Sequence, residues 1–308
     1  MYRKITSHLT KGRPSIQNYI QLRSEVFKKL LAKGRDVSSE PLMKYSDLAN
    51  DLHINLKTIR SVIEDIRDVS AEFVLTSGGI RIRQTYFHKN LRKAREIKDA
   101  LADKFVELIP KDVTLACSAG TTVAFCVKRL IEEGQYHVII TNNVGVIDQL
   151  SGSDITNLIF TGGEYKPAIH CCVGNPAIEA FREAKCQAAL IGVSGINEKG
   201  DLFVRHYDEI PVYNQILRSV IEKVFIVADA RKLSQEDTWS FMSIRQLLED
   251  EQRPNLNVYL ITTRCQSLDD LHSRNRACAV FEALSSVHKR FHVVLAETVN
   301  SSLEKKNN

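Results

Sequence analysis

Short apolar runs alternate with longer amphipathic segments through the last two thirds of the chain. Each run has the length of a buried strand, and most of the segments between the runs are long enough to form a helix. This alternation predicts an α/β domain with a mainly parallel sheet, because a helix can carry the chain back to the start of the next strand. The seven runs cover residues 113–117, 137–141, 156–160, 188–193, 224–228, 258–262 and 291–296.

The first third of the chain has a different pattern, in which helices precede a hairpin. Apolar residues recur at helical spacing in residues 14–33, and residues 45–53 and 55–69 predict two more helices separated by a short turn. Residues 73–75 and 80–83 predict two short strands around a turn with two adjacent glycines. The chain has 308 residues, and this length together with the change of pattern predicts two domains.

The net charge divides between these two parts of the chain. Residues 1–95 hold 19 lysines and arginines and 9 acidic residues, whereas residues 96–308 hold 23 basic and 28 acidic residues. A basic smaller part on an acidic larger part indicates that only the first part meets a polyanion. The alternative interpretation of this charge is an ordinary solvated basic surface.

Residues 45–60 have the pattern of two helices packed across a tight turn. Leu48, Ala49 and Leu52 lie on one face of the first predicted helix, and the small side chain of Ala49 permits the second helix to approach closely. Asn55 is a suitable N-cap for the second helix. Such a pair is typical of a helix-turn-helix, which places the start of its second helix in the major groove of DNA.

The exposed positions near the start of that second helix predict the residues that contact DNA. The guanidinium of Arg60 can donate two hydrogen bonds to one guanine, and Lys57 is suited to a phosphate. Arg81 and Arg83 follow the glycine turn of the hairpin and predict a basic wing. A helical hairpin with solvated charges is the alternative. The predicted DNA-binding residues are Lys57, Thr58, Arg60, Ser61, Arg81 and Arg83.

Polar or glycine-rich turns follow five of the predicted strands in the larger part. After the first strand, Gly120 lets a ligand approach the backbone, and the helix that follows presents free N–H groups to an anion. Ligands of open α/β sheets bind beyond the carboxyl ends of the strands, so the turns predict one shared anion site, with Arg231 as a further cation. An ordinary strand-to-helix turn is the alternative for each turn taken alone. The predicted effector-binding residues are Ser118, Gly120, Thr121, Thr122, Asn142, Gly162, Gly163 and Lys232.

Composition excludes several other classes of protein. The seven cysteines are odd in number and form no C-x-x-C pair, which argues against a disulfide framework and a zinc site. The sequence contains no apolar run of membrane-spanning length and does not begin with a signal-peptide pattern. We therefore expect a cytoplasmic protein with no metal, no cofactor and no membrane partner.

These motifs, in this order, resemble the DeoR/GlpR family of bacterial transcription regulators over roughly residues 20–264. The recognition-helix motif T-I-R is present as Thr58-Ile59-Arg60, followed by Ser61 and Val62 where the family commonly has Arg and Asp. The sensor motif D-S-G-T-T is present with Ser118 in place of the aspartate. The other shared motifs are Thr141-Asn142, Gly162-Gly163, Val173-Gly174, Gly192-Val193-Ser194-Gly195-Ile196 and Ala228-Asp229-Ala230-Arg231-Lys232.

The resemblance implies a fold and a function. The fold is a winged helix-turn-helix over residues 1–85, a linker helix within 86–110, and an α/β sensor and oligomerisation domain over 111–308, similar to sugar-phosphate isomerases. The function is that of a transcriptional regulator, usually a repressor, released by a phosphorylated sugar or similar metabolite. Its partners are a double-stranded DNA operator, the effector and other copies of the chain, as a homodimer or homotetramer.

Two other functions compete with this one. An enzyme could use the same crevice on a sugar phosphate, but the chain has no isomerase-type D-G-A-D-E segment, and His170 beside Cys171 is its one tempting dyad. We predict no catalytic residue. A constitutive DNA-binding protein that has lost its effector is the third hypothesis, and it is motivated by Ser118.

Overall fold

The chain forms two compact units, Met1–Gln84 and Thr85–Asn308. A computed structural model describes most of the larger unit and half of the smaller unit. The described residues are 19, 21–22, 24–26, 29, 42–69, 73–75, 79–82, 87, 90, 94–135, 138–150, 157–264 and 271–297.

Among its described residues, the smaller unit combines two continuous helices with a three-stranded antiparallel sheet, and residues 19, 21–22, 24–26 and 29 are helical as well. The strands pair in the order β1, β3, β2, with Leu42 opposite Arg81 and Val74 opposite the same residue on the other side. The elements are β1 (Leu42–Lys44), α1 (Tyr45–Leu52), α2 (Leu56–Val69), β2 (Phe73–Leu75) and β3 (Gly79–Ile82).

The turn between α1 and α2 is held by its own backbone and by one cap. His53 adopts a left-handed conformation with φ 52°, which ends α1. The side-chain oxygen of Asn55 accepts a hydrogen bond from the Thr58 N–H at 2.8 Å, so the predicted N-cap of α2 is confirmed. The inner faces of the two helices bury Leu48 and Ile59 in the core of this unit.

A seven-stranded sheet forms the centre of the larger unit. Its strands lie in the order β15, β14, β12, β9, β4, β5, β6, and every neighbouring pair is parallel. Each of the seven predicted apolar runs is one of these strands, so the predicted parallel α/β sheet is confirmed. The strands are β4 (Thr114–Cys117), β5 (Val138–Thr141), β6 (Leu158–Phe160), β9 (Cys186–Gly192), β12 (Val220–Val227), β14 (Asn257–Thr262) and β15 (Phe291–Leu295).

Two small sheets were not predicted from the sequence. One is a hairpin of β7 (Glu164–Lys166) and β8 (Cys171–Val173), and the other joins β10 (Gly195–Ile196), β11 (Asp201–Val204) and β13 (Trp239–Ser243) in antiparallel order. These strands have two to five residues, too few to establish an alternating pattern in the sequence.

Helices cover both faces of the parallel sheet and bury its two apolar layers. None of the described helices has the length and apolar character needed to span a membrane. The helices are α3 (Arg95–Leu108), α4 (Thr121–Glu132), α5 (Val144–Leu150), α6 (Asn175–Glu183), α7 (Ile210–Ser219), α8 (Ile244–Leu248) and α9 (Leu271–Val287), with short 3-10 turns at Tyr207–Glu209 and Ala230–Lys232.

The helix α3 lies in the segment 86–110 that the sequence suggested as a linker. In the structure α3 belongs to the larger unit, because Leu101, Ala102 and Phe105 are buried in its core and Phe105 contacts Phe225 edge to face at 5.2 Å between ring centroids. The spacing of these three apolar positions marks a buried helix face, whereas a free linker helix would expose them to solvent.

The role of α3 can be tested by removing its largest buried side chain. Phe105→Ala is expected to destabilise the larger unit by about 3–5 kcal/mol, because it removes a fully buried ring. Lys104→Ala, one residue away on a more exposed face, should change stability by less than about 0.5 kcal/mol. Trp239 is the sole tryptophan, so its fluorescence in urea reports the larger unit. An unchanged unfolding midpoint in Phe105→Ala would show that α3 is not part of this core.

Candidate functional site

A cavity of about 380 Å³ lies in the larger unit at the carboxyl ends of three neighbouring strands. Gly120 follows β4, Val193 follows β9 and Lys232 follows β12, and all three residues line the cavity. In a parallel sheet the carboxyl ends of adjacent strands lie side by side, so turns distant in sequence converge here. The position agrees with the crevice expected for a ligand of an open α/β sheet.

The first helix turn of α4 forms one wall of this cavity. Gly120 precedes the helix with φ 117°, a conformation that side-chain-bearing residues rarely adopt. Thr121 and Thr122 then place two hydroxyl groups in the lining, and Thr122 is buried. The free N–H groups and partial positive charge of a helix start favour an anion at this wall.

Four basic side chains and two carboxylates line the same cavity, so its formal charge is positive. Lys232 donates a hydrogen bond from Nζ to the carbonyl oxygen of Val193 at 2.6 Å. Lys98 is 5% exposed and donates from Nζ to the carbonyl oxygen of Asn90. The charged lining residues are Lys98, Arg205, Arg231, Lys232, Glu209 and Asp229.

Burial and neighbouring positive charge disfavour the ammonium forms of both lysines. Burial, together with the positive charge of Lys232, lowers the pKa of Lys98 to about 8 against the opposing effect of Asp229. The pKa of Lys232 is also lowered, mainly by burial, although Asp229 opposes that shift too. An anion in the cavity would relieve this repulsion and favour the charged form of both lysines.

Asp229 organises the basic side chains that follow β12. Its carboxylate accepts hydrogen bonds from Nε of Arg231 at 2.8 Å and from the Arg231 N–H at 3.1 Å. Burial alone would raise the pKa of Asp229, but Arg231 and Lys232 hold it below its ordinary value. Asp229 therefore stays ionised and fixes Arg231 at the cavity wall.

Glu209 and Tyr213 add further polar groups to the lining. Glu209 is 8% exposed, and burial raises its pKa to about 7. One of its carboxylate oxygens accepts a hydrogen bond from the His206 N–H at 3.2 Å. The Tyr213 hydroxyl lies 3.0 Å from the Gly192 carbonyl oxygen and 3.2 Å from the Ala119 carbonyl oxygen, just before the start of α4. The Glu209 carboxyl gives a ligand with hydroxyl groups a hydrogen-bond partner in the lining.

Only half of the predicted effector-binding residues line the cavity. Gly120, Thr121, Thr122 and Lys232 do so, and the structure thereby brings together residues from two separate motifs. Direct contact with an effector stays a prediction for each of them.

The other four predicted residues have structural roles in the described part of the chain. Ser118 is fully buried, and its hydroxyl accepts from the Gly192 N–H at 3.1 Å. Asn142 donates to the Cys172 carbonyl oxygen at 2.7 Å. At Gly163, with φ 115°, an added Cβ would lie 2.4 Å from the Val173 carbonyl oxygen. These residues and Gly162, which has φ 67°, shape the loops behind the cavity.

Several lining residues were missed by the sequence prediction. Lys98 is the clearest, since it lies three, four and seven residues before Leu101, Ala102 and Phe105 and thus on the buried face of α3. A lysine on an apolar helix face is a signal that sequence analysis could have used. Arg205 and Glu209 follow β11, a short strand that was not predicted.

The predicted DNA-contacting residues lie near the start of α2 in the smaller unit. Lys57, Arg60 and Ser61 are exposed, and Thr58 is partly exposed with its hydroxyl bonded to Asn55 at 2.9 Å. The guanidinium of Arg60 lies 5.5 Å from the centre of the Tyr45 ring.

The two predicted wing arginines are described less completely. Arg81 is part of β3, but its side chain lies outside the described residues. Arg83 lies wholly outside the described residues. The wing therefore stays a prediction.

The geometry around His170 argues against the enzyme hypothesis. His170 bonds through Nε2 to Asp148 at 2.6 Å and through Nδ1 to Tyr165 at 2.7 Å, so both ring nitrogens have partners other than Cys171. Burial raises the pKa of the Cys171 thiol well above its ordinary value, opposite to the shift that activates a nucleophile. In the described residues, no group of three His, Cys, Asp or Glu side chains is placed to hold a metal.

The fold and this cavity define an α/β unit of the kind that binds a small ligand at the ends of parallel strands. The family model described as the DeoR C-terminal sensor domain matches residues 93–249, about half of the chain. The chain therefore belongs to the DeoR family, and the resemblance seen in its motifs is confirmed.

Curated relatives agree with this assignment. The glycerol-3-phosphate regulon repressor of Escherichia coli (strain K12) is 24% identical over 203 residues, which cover 64% of this chain and 78% of the relative. The HTH-type transcriptional repressor GlcR of Bacillus subtilis (strain 168) is 24% identical and covers 66% and 80%. The lactose phosphotransferase system repressor of Lactococcus lactis subsp. lactis is 24% identical and covers 62% and 76%.

Solved structures give a weaker likeness. Ribose 5-phosphate isomerase A from Neisseria gonorrhoeae is 16% identical over 44% of this chain and 52% of that chain, with a TM-score of 0.33. A score this low supports no inference about the function of this chain.

The shifted pKa values predict how anion binding depends on pH. As pH rises, Glu209 gains a negative charge near pH 7 and Lys98 loses its positive charge near pH 8. Both changes oppose an anion, so sulfate, whose own charge is constant in this range, should bind on the order of tenfold more weakly at pH 9 than at pH 6. Isothermal titration calorimetry measures this fall. Affinity that is constant or rises over the same range would contradict the assigned site.

Proposed function

We propose that the chain is a DNA-binding transcriptional repressor whose affinity for its operator is controlled by a phosphorylated sugar or a similar small phosphorylated metabolite. The relatives named above are repressors, and the family model is that of a sensor domain. We also propose a cytoplasmic location and a homodimer or homotetramer as the DNA-bound form.

The proposed control by a phosphorylated metabolite rests on the positively charged cavity at the start of α4. Thr121 and Thr122 present hydroxyls at a helix start, and Lys98 and Lys232 present ammonium groups in the same cavity. Phosphate is the common biological group that uses N–H, hydroxyl and ammonium donors at once. Glu209 in the same lining is suited to sugar hydroxyls, so the lining offers partners to both the phosphate and the hydroxyl groups of a sugar phosphate.

The smaller unit supplies the DNA-binding part of the proposal. The helix pair α1 and α2 followed by the β2–β3 hairpin has the element order of a winged helix-turn-helix. The exposed start of α2, with Lys57 and Arg60, is suited to the major groove. We propose residues 1–85 as the DNA-binding domain and residues 111–308, together with α3, as the sensing and oligomerisation domain.

The DNA-binding assignment predicts distinct effects for two exposed residues. Arg60→Ala should weaken specific operator binding by about 1–3 kcal/mol and relax the preference at one base pair, because a bidentate contact to guanine is lost. Lys57→Ala should weaken binding to all sequences alike and reduce the salt dependence by about one phosphate contact. Fluorescence anisotropy with operator and scrambled DNA separates the two effects. Operator binding by Arg60→Ala that equals the parent's would refute the recognition-helix assignment.

The effector assignment predicts a variant that binds DNA but no longer responds. Replacing Thr121 and Thr122 together with Val keeps the side-chain volume and removes both hydroxyl donors. The double variant should bind operator like the parent and lose the change in DNA affinity caused by sugar phosphates. Thr114→Val, on β4 outside the cavity lining, is the matched control.

The measurement is operator affinity across a panel of sugar phosphates that includes glycerol 3-phosphate, with calorimetry on the same compounds. A parent chain that is folded, binds operator and responds to none of the panel would favour the constitutive regulator. Turnover of any compound in the panel would favour the enzyme.

A further inference from the structure

The first residues of the larger unit that the structure describes contribute to one side of the cavity. Phe87 is the third residue after Gln84, the last residue of the smaller unit, and it lines the cavity together with Asn90 and Lys98. We call residues 87–97 the entry segment, of which residues 87, 90 and 94–97 are described. A ligand in this cavity is therefore within reach of Phe87 and Asn90 of the entry segment.

Lys98 joins this wall to the positive charge of the cavity. Its Nζ donates to the carbonyl oxygen of Asn90, eight residues earlier, and lies 5.6 Å from the centre of the Phe125 ring. Its backbone N–H donates to Ala94 at the start of α3. The Lys98 side chain thus links the cavity to Asn90, and its backbone anchors the residue in the first turn of α3.

The Phe87 ring lies in a socket beside Gly145 and His170. The socket exists because residue 145 has no side chain. The Phe87 ring lies so close to Gly145 that a Cβ added there would be 2.0 Å from Cζ of the ring. On its other side the ring packs on His170, with 4.8 Å between ring centroids. His170 is itself fixed by hydrogen bonds to Asp148 and Tyr165. Phe87 is therefore held against a rigid support.

We propose that Lys98 binds the anionic group of the effector and, through its bond to Asn90 and the Phe87 socket, fixes the entry segment of the larger unit. This inference rests on the proposed function and names the residues that transmit the signal. The effector acts on the entry segment directly, because it contacts Phe87 and Asn90 of that segment.

The physical reason is the strength of a charge-assisted hydrogen bond. An anion stabilises the ammonium form of Lys98, and an ammonium donates more strongly to the Asn90 carbonyl than a neutral amine does. The ammonium has three donors, so it can hold the anion and Asn90 together. The ligand favours the arrangement in which Lys98 is bonded to Asn90 and Phe87 lies in its socket, because it binds more tightly to that arrangement than to others.

The first test removes the charge of Lys98 in the full-length chain. Lys98→Met keeps an unbranched side chain of similar length and should bind inorganic phosphate about tenfold or more weakly, since a hydrogen bond to a charged group is lost. Lys104→Met, on the same helix but outside the cavity lining, should bind phosphate like the parent. Calorimetry gives the affinities.

Hydrogen–deuterium exchange provides the readout of transmission. In the parent and in Lys104→Met, saturating phosphate should slow exchange in the peptide that spans residues 87–97. In Lys98→Met the same peptide should show no slowing, even at phosphate concentrations raised to restore occupancy. Slowing equal to the parent's in Lys98→Met would overturn the proposal.

A second test removes the socket without touching a charge. Gly145→Ala should expel the Phe87 ring, so that phosphate still binds but neither slows exchange in residues 87–97 nor changes DNA affinity. Phe87→Ala removes the ring without a steric clash, which keeps the test valid if Gly145→Ala fails to fold. At phosphate concentrations that saturate this variant, it too should show neither slowed exchange in residues 87–97 nor a change in DNA affinity. Adding Gly145→Ala to Phe87→Ala should have little further effect, because the clashing ring is already absent.

The outcomes separate this inference from the proposed function. If the parent responds to phosphate or a sugar phosphate and both Lys98→Met and Phe87→Ala respond equally well, the proposed function stands and this inference fails. If the parent binds no anion at all, the effector part of the proposed function fails with it.

Discussion

The larger unit depends on placing two ammonium groups, those of Lys98 and Lys232, around one cavity. Burial lowers the pKa of each, and the positive charge of Lys232 lowers the pKa of Lys98 as well. The parallel sheet creates this arrangement, because β12 ends beside β4 and β9, while α3 packs on the sheet and directs Lys98 to the same edge. Unneutralised positive charge in a confined cavity is costly in the empty protein and favourable with an anion. A sensor requires this difference between the two states.

The structure argues against the His170–Cys171 dyad that the sequence suggested. A catalytic nucleophile must be activated by a base that reaches it, whereas Cys171 has a raised pKa and His170 is engaged at both ring nitrogens. The His170 ring instead packs against Phe87, with 4.8 Å between the ring centroids. A residue pair that suggested chemistry in the sequence thus takes part in hydrogen bonding and packing in the structure.

The sequence predicted the parallel sheet well, because each of its seven strands is a continuous apolar run bounded by turns. It also predicted four residues that line the cavity, Gly120, Thr121, Thr122 and Lys232. Glycine, hydroxyl and basic residues that follow a parallel strand indicate the edge of the sheet where ligands bind. It could not show that Ser118 points into the protein, because that depends on the Gly192 N–H, 74 residues away. It also missed Lys98, whose position depends on how α3 packs. The surroundings of the Ser118 and Lys98 side chains both depend on packing between segments that are distant in the sequence.

A crystal structure of the chain with a bound sugar phosphate would test the central claim most directly. The account predicts the phosphate group at the start of α4, within hydrogen-bonding distance of the Thr121 or Thr122 hydroxyl and of the Lys98 ammonium, with Lys98 still bonded to Asn90. A phosphate bound elsewhere, or an empty cavity at concentrations that alter DNA affinity, would contradict it.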